Sequence, residues 1–265
     1  MRKLLLILTT LLFVFTNTAY GASTGSCFDT DSVLMLHMDG SDASTTFTDS
    51  SASAHTMTAN GNAQIDNDIT KFSQTGLFDG SGDYVSTPNS TDWDFGTGDF
   101  TIDFQYRTPA DPDTNNARVF LAVGDAIDAS AGVLVRYTTG GGLSVYINGT
   151  QYTFAWTPSG STFYHVALTR SGSNLRAFID GTQIGSTQSN SADIQVNQSL
   201  FVGAQNDGGV ASSFINASLD ELRVVKGTAV WTANFTSPVA AYTSCGAVVS
   251  GDAGLIGNSS SVQYF

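Results

Sequence analysis

Glutamate is nearly missing from this 265-residue chain: of 23 acidic residues only one, Glu221, is a glutamate. Charged residues of every kind make up 12%, about half the ~25% of an average soluble protein. Solvent-facing helical surface is built largely from Glu, Lys and Arg, so their scarcity excludes a helix-rich fold. Basic residues are few, ten in all, and the net charge is −13. A basic face for nucleic-acid phosphates is thereby excluded as well. The apolar run Leu4–Phe15, broken only by Thr9 and Thr10, spans twelve residues, well short of the ~20 that cross a bilayer as a helix. Cysteine occurs twice, at Cys27 and Cys245. What is present is a core's worth of apolar side chains, 41% hydrophobic and 11% aromatic, which excludes disorder. The 27 glycines stand among many Ser, Thr, Asn and Asp, the residues of turns.

The N-terminus indicates the compartment. Arg2 and Lys3 precede the short apolar run, and Ala19-Tyr20-Gly21 places small residues at the first and third positions of a cleavage site. This is the pattern of a secretory signal, residues 1–21, with no membrane span left after cleavage. Losing Arg2 and Lys3 leaves eight basic residues against 23 acidic ones, a balance of −15 on the mature chain. In an exported protein two cysteines favour a disulfide, Cys27–Cys245, over two free thiols. They bracket nearly the whole body of the chain, so the bridge requires the two ends of the domain to meet.

Along the body the hydrophobic period is two. Phe100, Ile102, Phe104 and Tyr106 alternate with Thr101, Asp103, Gln105 and Arg107. Leu143, Val145 and Ile147 alternate with Ser144, Tyr146 and Asn148, and Leu175, Ala177 and Ile179 with Arg176, Phe178 and Asp180. Asn148-Gly149, Asp180-Gly181 and Gly140–Gly142 close such runs, which marks antiparallel strands joined by tight turns. Further strands are expected at Tyr164–Thr169, Val33–Met38, Arg118–Val123, Gly132–Tyr137, Leu200–Gly203 and Ser218–Val225, with at most a helical turn near Thr228–Thr232. One domain, residues 27–245, is expected, followed by a flexible Gly- and Ser-rich tail, 246–265.

Several segments together resemble the LamG-like, concanavalin A-like jelly-roll domains. They are LMLHMDG (34–40), LFDGSGDYV (77–85), WDFGTGDFTIDF (93–104), FYHVALTR (163–170), LRAFIDG (175–181), LDELRVVK (219–226) and GTAVWTANFTSP (227–238). The resemblance implies an all-β, antiparallel two-sheet jelly-roll sandwich, a fold that hosts lectins, adhesion modules and glycanases alike. The glucanases of that architecture carry two glutamates flanking an aspartate on one strand, which suits a retaining pair of carboxyl groups ~5–5.5 Å apart. This chain has one glutamate and no such arrangement. His37, His55 and His165 accompany no nucleophile elbow. A non-catalytic protein is expected.

The resemblance also implies a structural calcium, carried over to Asp39, Asp220 and Asp79, oxygen donors of the kind Ca²⁺ prefers; capping of turns is the alternative use of these aspartates. Two classes of function compete. One is a secreted recognition module for a glycan or another cell-surface component. The other is an assembly subunit whose C-terminal tail, ending Val262-Gln263-Tyr264-Phe265, docks on a protein partner. For recognition, the candidate ligand surface is the polar face of the strands: Arg107, Arg136 and Arg176 beside Tyr146 and Phe178, a set suited to an acidic glycan. The alternative is that Asp103 and Asp180 neutralise the arginines as exposed cross-strand pairs. Trp93 and Trp231 are expected in the core or at corners, and Trp156 at the surface.

Overall fold

The computed structural model describes residues 27–28, 31–109, 117–125, 127 and 132–244. The expected signal segment, Cys245 and the tail 246–265 lie outside the described residues. The strands there are, in chain order, β1 (Cys27–Phe28), β2 (Ser32–Leu36), β3 (Thr58–Asn60), β4 (Gln64–Asp66), β5 (Thr75–Asp79), β6 (Tyr84–Thr87) and β7 (Phe100–Arg107). Then come β8 (Ala117–Gly124), β9 (Gly132–Thr138), β10 (Gly142–Ile147), β11 (Thr150–Phe154), β12 (Phe163–Ser171) and β13 (Asn174–Ile179). The last are β14 (Thr182–Ser189), β15 (Leu200–Val202), β16 (Gln205–Asp207), β17 (Val210–Ser212), β18 (Asn216–Lys226) and β19 (Thr243–Ser244). A 3-10 turn at Thr91–Trp93 is the one helical element among the described residues.

Two antiparallel sheets make a sandwich. One has seven strands in the order β11-β10-β9-β8-β15-β6-β3, the other eight, β14-β13-β12-β7-β18-β5-β4 with β2 also paired to β18. The period of two explains which residues lie between them. Phe100, Ile102, Phe104 and Tyr106 of β7 share one core with Val133, Val135, Tyr137, Leu143, Val145 and Ile147 of β9 and β10. Each such side chain contributes roughly 1.5–3 kcal/mol by leaving water. Asn148-Gly149 and Asp180-Gly181 adopt positive φ at both positions (46° and 79°, 49° and 77°), as a two-residue hairpin turn matching strand twist requires. The short strands β1 and β19 pair in parallel, Cys27 opposite Thr243, so the two ends of the domain meet.

Two departures from regularity position the polar residues. The first is a bulge in β18. Glu221 lies in the left-handed region at φ 50°, and pairing with β7 slips between Asp220 and Arg223. Before the bulge Ala217 and Leu219 face the core; after it Leu222 and Val224 do. Arg223 therefore emerges on the outer face, opposite Asp103.

The second departure is the segment 227–242, which is irregular backbone with bends, neither helix nor strand. The sequence allows at most a helical turn at Thr228–Thr232, and none forms, because the sheet beneath supplies this backbone's partners. Thr101 Oγ1 donates to the Thr228 carbonyl (3.0 Å) and accepts from the Val230 N–H (2.9 Å). Thr169 Oγ1 donates to the Trp231 carbonyl at 2.9 Å, and the Phe235 N–H donates to Gly181 at 2.9 Å. A Cβ at Gly181 would sit 2.0 Å from the Phe235 carbonyl oxygen, so only glycine lets this strap lie flat.

Candidate functional site

The strap covers part of the outer face of the eight-stranded sheet. Beneath it Phe178 and Ala167 pack against Trp231, with Phe235 and Val230 alongside. Phe178, expected to offer its ring to a ligand, is fully buried. That expectation is corrected: the residue has the outward phase read from its strand, but the Trp231–Phe235 stack covers it.

Next to this aromatic cover is a buried polar cluster. Asp103 accepts from Arg223 Nε at 2.8 Å, from His165 Nε2 at 3.2 Å and from the Tyr242 hydroxyl. The Arg223 guanidinium also lies over the Tyr242 ring at 4.1 Å. Burial disfavours charge on Asp103, yet Arg223 and His165 outweigh it and hold the carboxyl below its ordinary range. Burial, with Asp103 alongside, pushes the Tyr242 phenol well up. The cluster pins the strap to the sheet. Asp103 thus does not neutralise Arg107, and Asp180 spends an oxygen on the His165 N–H at 2.8 Å.

A second cluster lies at the bulge. Glu221 accepts from His37 Nδ1 at 2.8 Å and from the Tyr242 N–H at 2.7 Å, and its hydrogen bond raises the His37 pKa. Asp220 is 1% exposed. One of its oxygens takes a long bond from the Phe72 N–H at 3.4 Å, and Oδ1 has no partner among the described residues. Burial, then Glu221 and Asp39, push its carboxyl up to about 8. Asp39 accepts from the Gln74 N–H at 3.4 Å, so both aspartates hold the segment 69–74. Asp79 belongs elsewhere: it closes its own turn, accepting from the Ser81 N–H at 2.7 Å. The three carboxylates expected to share a calcium therefore do not converge; Asp39 and Asp220 do, Asp79 does not. Among the described residues no group of three or more His, Cys, Asp or Glu is assembled to hold a metal.

The ligand candidates are divided between the two sheets. Arg107 and Arg176 are on the eight-stranded sheet, Arg136 and Tyr146 on the seven-stranded one, which corrects the expectation of one shared surface. Arg136 stacks over the Tyr146 ring at 4.7 Å and donates to its hydroxyl at 2.8 Å. Arg176 lies beside the strap, on the strand whose bulge falls between Leu175 and Ala177. Among the described residues none of these three arginines has a carboxylate within 4.0 Å. Arg107 borders a depression of about 80 Å³. Sequence reasoning missed Lys71, whose ammonium sits 5.5 Å from the rings of Phe72 and Phe163; no periodicity marks it, since it lies on a loop.

Each histidine is held by a carboxylate, His37 by Glu221, His55 by Asp92 and His165 by Asp103. Trp93 is buried in the core. Trp156, expected at the surface, is half-buried and meets Tyr106, Tyr137 and Tyr164 edge-on. It closes one end of the core.

A family model described as the concanavalin A-like lectin/glucanases superfamily matches residues 79–231, more than half of the chain. No functionally curated protein matches the sequence. Among solved structures, the binding domain of Paraclostridial Mosquitocidal Protein 1 superposes with a TM-score of 0.59 at 16% identity, over 75% of this chain and 50% of that one. The binding domain of botulinum neurotoxin serotype D/C gives 0.57 at 15% identity, over 76% and 50%. A structure of botulinum neurotoxin type C, whose cell entry depends on two ganglioside molecules, gives 0.54 at 14%, over 75% and 49%. The chain spans about half the length of these structures, and the likeness is one of fold. No helix among the described residues is long and apolar enough to cross a membrane.

Proposed function

The chain belongs to the concanavalin A-like lectin/glucanases superfamily, and from that premise we propose that it is a secreted, non-catalytic recognition module for glycans or another cell-surface component. The observation that carries the reading is the Arg136–Tyr146 pair. A half-buried guanidinium lies on an aromatic ring, on the outer face of the seven-stranded sheet, with no carboxylate partner among the described residues. In a chain with 23 acidic residues, neutralising that charge internally was the available alternative. Tyrosine offers a face for a sugar ring and arginine a planar fork of donors. The structural neighbours being binding domains agrees with this. Support for a non-catalytic role comes from Glu221, the one glutamate, whose oxygens are committed to His37 and Tyr242. Asp220, whose carboxyl burial pushes up to about 8, is itself buried.

A glycan array probed with the mature chain tests the reading. Binding that falls at least about tenfold in Arg136→Ala and Tyr146→Ala variants of unchanged melting temperature is the expected outcome, equivalent to the loss of one charge-assisted contact. An array with no bound glycan or surface component overturns it.

The proposal includes two covalent or ionic supports. A calcium at Asp39 and Asp220 would ionise Asp220 and occupy its unpartnered Oδ1. Because cation and proton then compete for one carboxyl, Ca²⁺ should raise the melting temperature more at pH 8 than at pH 6, and EDTA should reverse the gain. The Cys27–Cys245 bridge is supported by the β1–β19 pairing, which sets Cys27 opposite Thr243, two positions before Cys245. Mass spectrometry after alkylation without reduction should find neither cysteine modified.

A further inference from the structure

The arginines of this chain differ in how fully their donors are used. Arg170 is completely buried and makes five hydrogen bonds, to Gly96, to Gly98 twice, to Asn190 and to Ala192, at 2.7–3.0 Å. Arg223 has Asp103, and Arg136 has Tyr146. The Arg107 side chain, at the end of β7, has neither a hydrogen bond nor an ion pair to any described residue. A guanidinium carries five donors and stays charged at any physiological pH, so the accounting of donors fails to close here, as it also does at Arg176, whose Nη1 is buried without a partner among the described residues.

Its surroundings have the mixed character of a sugar site. Arg107 pairs across the sheet with Ser218 on β18 and with Phe163 on β12. The depression it borders, about 80 Å³, is lined also by Asn216, Thr108, Pro109, Leu77 and Ile69. Thr108 is already engaged, donating to the Ser159 carbonyl at 2.6 Å. Asn216 and Ser218 make no side-chain bond to a described residue, which leaves an amide and a hydroxyl beside the guanidinium. Lys71 lies over the ring of Phe163, the cross-strand partner of Arg107. The nearest carboxyl group in register is Asp220, opposite Gln105 two positions along β7 from Arg107; it is buried and takes the Phe72 N–H, while Asp79, across from Asn216 on β5, is engaged by Ser81.

We infer that this depression is a subsite for the carboxylate of an acidic sugar, held bidentately by Arg107 with Asn216 and Ser218 bonding neighbouring hydroxyls. The inference rests on the recognition reading and narrows it to a ligand class and a second sheet face. Planar carboxylate matches the planar fork of arginine, and the apolar wall of Leu77, Ile69 and Pro109 suits the carbon face of a pyranose.

The test uses two acidic probes, a uronate-terminated and a sialic acid-terminated oligosaccharide. Each is paired with the same oligosaccharide after reduction of its carboxyl to an alcohol. The mature protein should bind at least one acidic probe about tenfold or more tighter than its reduced form, and which probe does so identifies the source of the carboxylate. Arg107→Ala should abolish that preference with an unchanged melting curve. Arg107→Lys should retain part of it, since an ammonium supplies charge without the fork. Equal binding of acidic and reduced forms, or a preference surviving in Arg107→Ala, overturns the subsite while neutral glycans bound elsewhere leave the recognition reading standing. Failure of all four probes together with an empty array overturns both.

Discussion

Two aspartates face outward from neighbouring strands of the same sheet, both buried, and their carboxyls shift in opposite directions. Asp103 on β7 is 0% exposed and Asp220 on β18 is 1% exposed. Asp103 meets Arg223, His165 and Tyr242 and is held down; Asp220 meets Glu221, Asp39 and one long backbone bond and is pushed to about 8. Burial is common to both, so partners decide. Desolvation sets a penalty for charge, and a cation with good hydrogen bonds reverses it whereas like charges enlarge it.

The comparison can be broken hardest at Arg223. Arg223→Met strands Asp103 as a buried charge and should destabilise the fold by about 3–5 kcal/mol in urea titrations at pH 7. The double variant Asp103→Asn/Arg223→Met should recover most of that loss, because neither charge then remains to be compensated. Equal loss in both proteins would mean that packing, not charge, holds this region.

Tyr242→Phe removes one donor from Asp103 and should cost about 1.5–3 kcal/mol, the range for a hydrogen bond to a charged group. Amide exchange should quicken across the strap, residues 227–242, before it quickens in β7 or β12.

Asp220 should answer in the other sense. Its folded carboxyl titrates near 8, above the ~4 of an unfolded aspartate, so the folded state holds the extra proton between these values. Its contribution to stability is then present at low pH and lost as pH rises toward 8. Asp220→Asn should be closest to neutral below about pH 4 and should raise the melting temperature increasingly toward pH 9, without calcium. A constant difference across that range would refute the assignment.

The smallest effect is expected at His37, whose pKa is raised by its bond to Glu221. A raised histidine stabilises most below its unfolded value of ~6.5 and ceases to as pH rises through the folded value. His37→Gln should lower stability at pH 5.5 by under about 1 kcal/mol and leave it unchanged at pH 9.

Strand phase was legible in the sequence wherever alternation was unbroken. Phe100–Arg107 and Leu175–Ile179 turn the expected side chains inward and outward, and the Asn-Gly and Asp-Gly turns fall where they were read. What phase does not carry is sheet membership. Arg107 reads as an outward residue and Arg136 lies on a strand of ambiguous phase; both face outward, yet away from each other across the sandwich, because strands that pair here are distant in sequence. Phe178 shows a related limit: outward is not exposed once a distant strap lies across the sheet. The Asp103 cluster was hidden for a third reason. Arg223 reaches Asp103 only because of the bulge at Glu221, and bulges marked by a non-glycine residue leave no local signature. Arg107 was legible as a residue; that its donors go unused among the described residues required coordinates.

That bulge also divides β18 into two reading frames. Up to Asp220 the even-numbered residues face out, as Ser218 and Asp220 do; from Leu222 onward the odd-numbered ones do, as Arg223 and Val225 do. One residue, Glu221, is the frameshift between them. Were the strand paired regularly at the same length, without that bulge, every later side chain would change sides, sending Arg223 into the core and Leu222 and Val224 outward; deleting Glu221 would instead leave Leu222 in and Arg223 out. The length of the segment is thus part of its message. An alignment carried without a gap from this strand to an unbulged relative compares inward residues with outward ones beyond Glu221.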